Sequence, residues 1–209
     1  MRRKSKVAER FWKTRNKYPP VIYNHQRRYL DLGIILDNIE GIKSIVDIGC
    51  GEGQTLLMLR ELTDIKGFHG YDLSSIFINN LIKRWGEWPG LNTKITNFIK
   101  SKLPETDLCI CMGAMLYVFD DSELTHMLSN IKSNIFICRV PCTLTSRKLE
   151  IDKFSEEFEA TYAAVYRTIP EYISILSDSF NIKSINHCYP DDIESKYGSK
   201  QFSFVCEAK

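Results

Sequence analysis

Residues 44–59 read SIVDIGCGEGQTLLML, and four of them raise a chemical question. Asp47, Gly49, Gly51 and Gly53 stand at alternate positions between an apolar run and an amphipathic one. The first run has the length of a strand, and the second has helical spacing. A strand that feeds a helix through a tight glycine turn makes a place for a ligand. Gly49 and Gly51 permit backbone conformations that other residues resist, and they let a ligand approach closely. The free N–H groups at the start of the helix are then available to that ligand.

The details of the turn select among ligands. Dinucleotide sites use G-x-G-x-x-G, with a pyrophosphate on the helix N-terminus. Here the spacing is G-C-G-E-G, and Glu52 is expected where a pyrophosphate would approach, repelling it. Asp47 also suits a cation better than a phosphate. No G-x-x-x-x-G-K-[ST] occurs, which excludes a P-loop. The expected ligand is nucleoside-like, positively charged and free of phosphates.

The elements that must position such a turn follow from the patterning. Strand-like runs at 43–49, 65–73, 93–98, 106–114 and 133–140 alternate with helix-like runs at 52–62, 74–85 and 120–131. This alternation predicts an α/β fold, a three-layer α/β/α sandwich around a mostly parallel sheet. A helix over 168–180 carries Pro170 in its first turn, where proline is tolerated. The runs 181–189 and 200–208 are joined by too few residues for a helical crossover, so this last pair is antiparallel. Seven strands result. The segment 141–167 is a long insertion after the fifth strand, rich in Tyr, Phe and Arg and therefore expected to be ordered.

VDIGCGEG resembles the first motif of the class I S-adenosylmethionine-dependent methyltransferases, D/E-x-G-x-G-x-G. The resemblance extends over residues 40–209 through the strand order, the antiparallel last strand and the acidic end of the second strand. It implies the Rossmann-like methyltransferase fold and S-adenosyl-L-methionine as cofactor. It places Asp47, Gly49, Cys50, Gly51 and Gly53 around the methionine part of that cofactor. Asp72 would accept hydrogen bonds from the ribose hydroxyls, and Leu73 would flank the adenine. The family commonly has an acid after the third strand, where this chain has TNFI. Asn97 is the substitute acceptor for the adenine amino group and Phe98 a stacking partner. Met112 and Gly113, ending the fourth strand, would face the sulfonium.

The methyl acceptor leaves a fainter trace, because positioning alone does much of this chemistry. The [DN]-P-P-[YFW] tetrapeptide of amino-directed enzymes is absent, and MGAML occupies its place. Cys142, in VPCT after the fifth strand, is read as incidental. Arg139, at the end of the fifth strand, and Tyr166 and Arg167, in the insertion, are the candidate catalytic residues. Tyr162 and Tyr166 are expected to share a helical face. Arginines and tyrosines suit an acceptor bearing a carboxylate, a phosphate or sugar hydroxyls. The reading is methyl transfer to a small-molecule or glycan-linked acceptor, at oxygen. RNA or protein docking through the N-terminus, and a non-catalytic cofactor-binding subunit, are the alternatives.

Bulk composition sets the frame. The 209 residues include 44% hydrophobic and 26% charged, as in an ordinary globular chain with one core. Residues 1–30 hold ten Lys/Arg and one acid, a balance of +9, while the remainder stands at −7. Residues 1–40 are expected to form a basic helical segment that acts as a lid, with Trp12, Arg15, Tyr18 and Tyr23 its candidate contacts, and 41–209 the catalytic domain. Seven cysteines without a C-x-x-C pair suit buried thiols rather than disulfides or zinc. The N-terminus lacks the apolar core of a secretory signal, and no run reaches the roughly 18 apolar residues of a membrane span. A cytoplasmic location and no metal are therefore expected.

Overall fold

The computed structural model describes residues 2–15, 25–156, 159–194 and 198–209. Tyr18 and Tyr23 lie outside them. Central strand β1 (Ser44–Ile48) is buried from Ile45 onward because both its edges are paired. β2 (Gly67–Asp72) lies on one side and β3 (Leu91–Ile95) beyond it. β4 (Glu105–Met112) and β5 (Lys132–Thr143) lie on the other side, all five parallel. The chain thus reverses direction across the sheet at β1 and β4, the switch point where open α/β sheets bind ligands. β8 (Phe180–His187) and β9 (Ser199–Ala208) are antiparallel to each other, and β9 is antiparallel to β5.

Alternation along the strands builds the two core layers. Val46, Cys109, Cys111 and Cys138 face one way, toward helices α5 (Asp121–Ser129) and α6 (Ile169–Ser177). Ile45, Leu108, Ile110 and Ile137 face the other way, toward α2 (His25–Leu36), α3 (Gln54–Leu62) and α4 (Ser75–Trp85). Local signals start these helices. The Ser74 hydroxyl accepts from the Phe77 N–H, and Thr168 and Glu171 form a reciprocal capping box beside Pro170. Six of the seven cysteines are buried and all are free.

Among the described residues the sheet has nine strands rather than seven, and the extra two come from the insertion. β6 (Lys148–Ser155) and β7 (Ala160–Thr168) form an antiparallel hairpin. Tyr162 and Tyr166 therefore share a strand face, not a helical one. β7 pairs in parallel with the end of β5, Cys142 opposite Arg167 and Thr143 opposite Thr168. β9 pairs with the same two β5 residues, so β7 must occupy the edge that β4 fills as far as Met112 opposite Arg139. The hairpin consequently stands just beyond the carboxyl end of β4, over the switch point.

Helix α1 (Arg2–Thr14) carries Ala8, Phe11 and Trp12 on one side and closes this space from above. Phe11 packs with Leu116, Tyr162, Ala164 and Tyr166, and Ala8 with Phe119, Ala163 and Val165. Among the described residues, no helix is long and apolar enough to cross a membrane.

Candidate functional site

The glycine turn folds back onto β2 through two hydrogen bonds. The N–H groups of Gly49 and Cys50 both donate to the Tyr71 carbonyl, at 2.7 and 3.2 Å. Gly49 adopts φ +76°, and a Cβ there would come within 2.6 Å of the Ala114 Cβ. The turn is thereby bound to the loop that ends β4.

Asp72 is held by the same turn. The Gly51 N–H donates to its Oδ2 at 2.9 Å and the Ser74 N–H to its Oδ1 at 2.8 Å. Each oxygen is fixed in direction and retains accepting capacity for a ligand. Burial raises the Asp72 carboxyl, and the N–H groups of Ser74, Gly51 and Leu73 oppose that rise.

Asp47 differs. It is 3% exposed, and its carboxylate has no hydrogen-bond partner among the described residues. Burial, together with the Asp72 carboxylate, pushes it up to about 8. An unpaired buried carboxylate beside a second one is a site for positive charge. Below about pH 8 the carboxyl holds a proton that a cationic ligand must expel. Binding of S-adenosylmethionine at pH 7 is therefore expected to release a proton in the wild type and none in Asp47→Asn. Calorimetric titration in buffers of different ionisation heat measures this, and equal release by both proteins would remove Asp47 from contact with the ligand's charge. The stability linkage has a definite sign. Between the ordinary value of 3.8 and about 8 the folded chain holds a proton that the unfolded chain has lost, so Asp47 lowers stability as pH rises through that window.

A cavity of about 730 Å³ runs from these carboxylates across the sheet end. Of the residues singled out in the sequence, it is bordered by Asp47, Gly49, Cys50, Asp72, Leu73, Asn97, Phe98, Met112, Gly113, Arg139 and Tyr166. Asn97 Oδ1 accepts from the Ile99 N–H at 3.1 Å, capping a short 3-10 turn that presents Phe98 to the cavity. Gly51 and Gly53 stay outside the lining. Gly53 sits at φ +71°, and a Cβ there would meet Leu81 Cδ1 at 2.1 Å, so its role is the close approach of α3 and α4. Glu52 is also outside. It turns to α4, accepting from Asn80 at 2.8 Å and pairing with Arg84 at 3.5 Å. The acidic groups that border the cavity at the turn are Asp47 and Asp72, not Glu52.

The far end of the cavity holds the other candidates. Arg139 donates from Nε to Asp31 at 3.1 Å, from Nη1 to Gln201 at 2.8 Å and from Nη2 to the Met112 carbonyl at 3.1 Å. Tyr189 donates to Asp31 at 2.9 Å. Burial raises the Asp31 carboxyl, opposed by the Arg139 guanidinium and the Tyr189 hydroxyl. Tyr166 borders the cavity with its hydroxyl 3.1 Å from that of Tyr162.

Arg167 does not reach the cavity. It is fully buried on the other side of β7, bonded to Asp121 Oδ1 at 2.7 Å and to the Val118 carbonyl at 2.8 Å. It is a strut between the hairpin and α5. Trp12 borders the cavity and meets Tyr117 edge-on, while Arg15 lies over the Phe11 ring at 4.8 Å. Tyr117, Tyr189, Asp31, Ser199 and Gln201 also border it, and no local motif marks them in the sequence.

Residues 45–135 match a family model described as a methyltransferase domain, the span from β1 into β5. A search of curated proteins gives no match. Solved structures share the fold at low identity. Geranyl diphosphate C-methyltransferase from Streptomyces coelicolor, in complex with Mg²⁺, geranyl diphosphate and S-adenosyl-L-homocysteine, superposes with a TM-score of 0.72 at 13% identity, covering 98% of each chain. A SAM-dependent methyltransferase from Leishmania major gives 0.72 at 12% identity over 96% of this chain and 82% of that one. An S-adenosylmethionine-dependent methyltransferase from Mesorhizobium loti gives 0.65 at 16% identity over 87% and 97%. With the glycine turn, the paired carboxylates and this sheet order, residues 45–135 match a methyltransferase domain and the chain has the fold of the S-adenosylmethionine-dependent methyltransferases on which it superposes.

Proposed function

We propose that this enzyme transfers a methyl group to an oxygen atom of a small-molecule or glycan-linked acceptor. The observation that carries the proposal is the size of the cavity and the cover given to it by the hairpin and α1. Its volume of about 730 Å³ falls in the range of small-molecule sites and must hold both cofactor and acceptor. The hairpin and α1 cover it, which leaves room for a small compound or the terminal group of a larger one. In this reading the N-terminal segment 1–40 serves as the lid, and α1 is its part over the cavity.

The residues at the near end fit S-adenosylmethionine. The unpartnered carboxylate of Asp47 suits its positive charge, and the oriented oxygens of Asp72 suit the ribose diol. Leu73 and Phe98 suit the adenine faces, and Gly49 gives the backbone room. When bound, the cofactor supplies an activated methyl group. The chain's own work is then to align the acceptor and exclude water.

Three tyrosines face the acceptor end. Burial raises both Tyr117 and Tyr166, so they stay protonated and act as hydrogen-bond donors rather than bases. One phenol of the Tyr162–Tyr166 pair donates to the other, which sets the two hydroxyls side by side at the cavity. The Streptomyces coelicolor neighbour, whose structure holds a small acceptor, supports the size class.

The test is methyl transfer from tritiated S-adenosylmethionine into separate pools of small hydroxylic compounds, glycans, RNA and protein. Label is expected in the first or second pool. Label confined to RNA or protein would overturn the proposal in favour of docking through the basic N-terminus. Cofactor binding with no transfer to any pool would point instead to a silent subunit.

A further inference from the structure

The cavity also reaches the paired ends of β5 and β9. On one face of this antiparallel pair Arg139, Pro141 and Thr143 stand opposite Ser203, Gln201 and Ser199. Directly opposed residues share a face, so they form a short polar stripe on the α2 side of the sheet. Ser199 borders the cavity and is 3% exposed, and Thr143 opposite it lies outside the lining and is 6% exposed. Neither hydroxyl has a hydrogen-bond partner among the described residues. Buried hydroxyls left unpaired are uncommon and costly, which points to a group that arrives from outside.

The neighbours of these hydroxyls are donors too. Arg139 uses three of its five N–H groups on Asp31, Gln201 and Met112, so Nη1 and Nη2 each retain one. Because Arg139 can only donate, the Gln201 oxygen must face it, and the Gln201 amide nitrogen is then without a partner among the described residues. Arg27 brings a second guanidinium to the cavity, over the Tyr189 ring at 5.7 Å. Two carboxylates lie close, and both are engaged. Asp31 is held by Arg139 and Tyr189, and Glu194 lies outside the cavity lining, against the Gln201 N–H and His187.

We infer that Ser199, Gln201 and Arg139 form an oxyanion subsite that seats a carboxylate of the methyl acceptor. The inference rests on the small-acceptor reading above and adds a charge to it. Arg27, Arg28 and Arg139 border the cavity together with Asp31, a set of groups in which cations outnumber carboxylates. Donors on β9 and on the β5 guanidinium suit the two oxygens of a planar carboxylate. Arg139 also abuts Met112 and Gly113 at the end of β4, so a carboxylate seated here would hold the acceptor close to the cofactor end.

The test uses protein saturated with S-adenosylhomocysteine, titrated with benzoate and with the neutral isostere benzamide, and followed by amide chemical shifts. Benzoate is expected to bind about tenfold more tightly than benzamide. The preference should shrink in Ser199→Ala and vanish in Ser199→Asp, whose carboxylate repels the anion. Affinity for S-adenosylhomocysteine reports folding of each variant and should hold. Equal affinities in the wild type, or a preference that survives Ser199→Asp, would overturn the subsite. If that happens while neutral small hydroxylic compounds are methylated, the subsite falls and the small-acceptor reading stands. If benzoate binds as expected but only RNA or protein is methylated, the small-acceptor reading falls instead.

Discussion

Arg139→Met is expected to destabilise the fold by about 3–5 kcal/mol, the cost of leaving one member of a buried ion pair alone. Asp31 and Arg139 are 12% and 17% exposed and lie 3.0 Å apart. Asp31 comes from α2 and Arg139 from the end of β5, so the pair fixes that helix across the sheet end. Removing the guanidinium also frees the Met112 carbonyl and the Gln201 amide oxygen, both at the cavity floor. Urea denaturation at pH 8 should show the full loss. At pH 5 the loss should be smaller, because Asp31, already raised by burial, is driven higher without its cation and can protonate in the folded state. The sign follows from linkage: a carboxyl raised by folding favours the native state at low pH and loses that contribution as pH rises. The double variant Asp31→Leu/Arg139→Met should recover most of the loss, since a well-packed apolar pair commonly replaces a buried ion pair without penalty. A single variant that loses less than about 1 kcal/mol would show that the pair is solvated and does not hold α2.

The same arginine shows how far local sequence reaches. Its position at the end of the fifth strand is legible from α/β alternation. Its partners are not, because Asp31, Met112 and Gln201 come from three separate elements. The seven strands of the main sheet and the cofactor end of the cavity are readable for a related reason. Asp47, the glycine turn and Asp72 follow one another through a single βαβ unit, so sequence spacing and spatial neighbourhood coincide.

The hairpin was harder to read, and the physical cause is periodicity. A separation of four residues brings side chains to one face of a helix and also to one face of a strand. Tyr162 and Tyr166 therefore fit both readings. In β6 the period-2 signal is broken by a register shift between Glu150 and Lys153, with Asp152 at φ +53°, and its outward face is apolar at Leu149, Ile151 and Phe154. Taking a helix where there is a strand has a direct consequence for chemistry. Adjacent residues on a strand point to opposite faces, so placing Tyr166 in the cavity sends Arg167 to the reverse side, against Asp121. Glu52 shows the same limit at the glycine turn, where one further residue rotates a charge from the ligand to Asn80 and Arg84.

Asp72→Ala is expected to weaken binding of S-adenosylmethionine by about 1–3 kcal/mol, or roughly 5- to 150-fold. Two effects add. The variant loses the carboxylate oxygens proposed to accept from the ribose hydroxyls. It also strands the Gly51 and Ser74 N–H groups, which hold the glycine turn against the start of α4. A weaker affinity by itself does not separate these causes, but a deoxy analogue does. Wild-type protein should bind S-adenosylhomocysteine more tightly than its 2′-deoxy analogue, and Asp72→Ala should bind the two nearly equally. The discrimination reads the hydroxyl–carboxylate bond directly, because disorder of the turn weakens both ligands alike. If the variant discriminates as well as the wild type, the ribose is held elsewhere and Asp72 acts only through the turn. Asp72→Asn should fall between the two, since it keeps one accepting oxygen and turns the other position into a donor. Calorimetry with the two ligands on the three proteins gives all the required comparisons, and it works whatever the methyl acceptor proves to be.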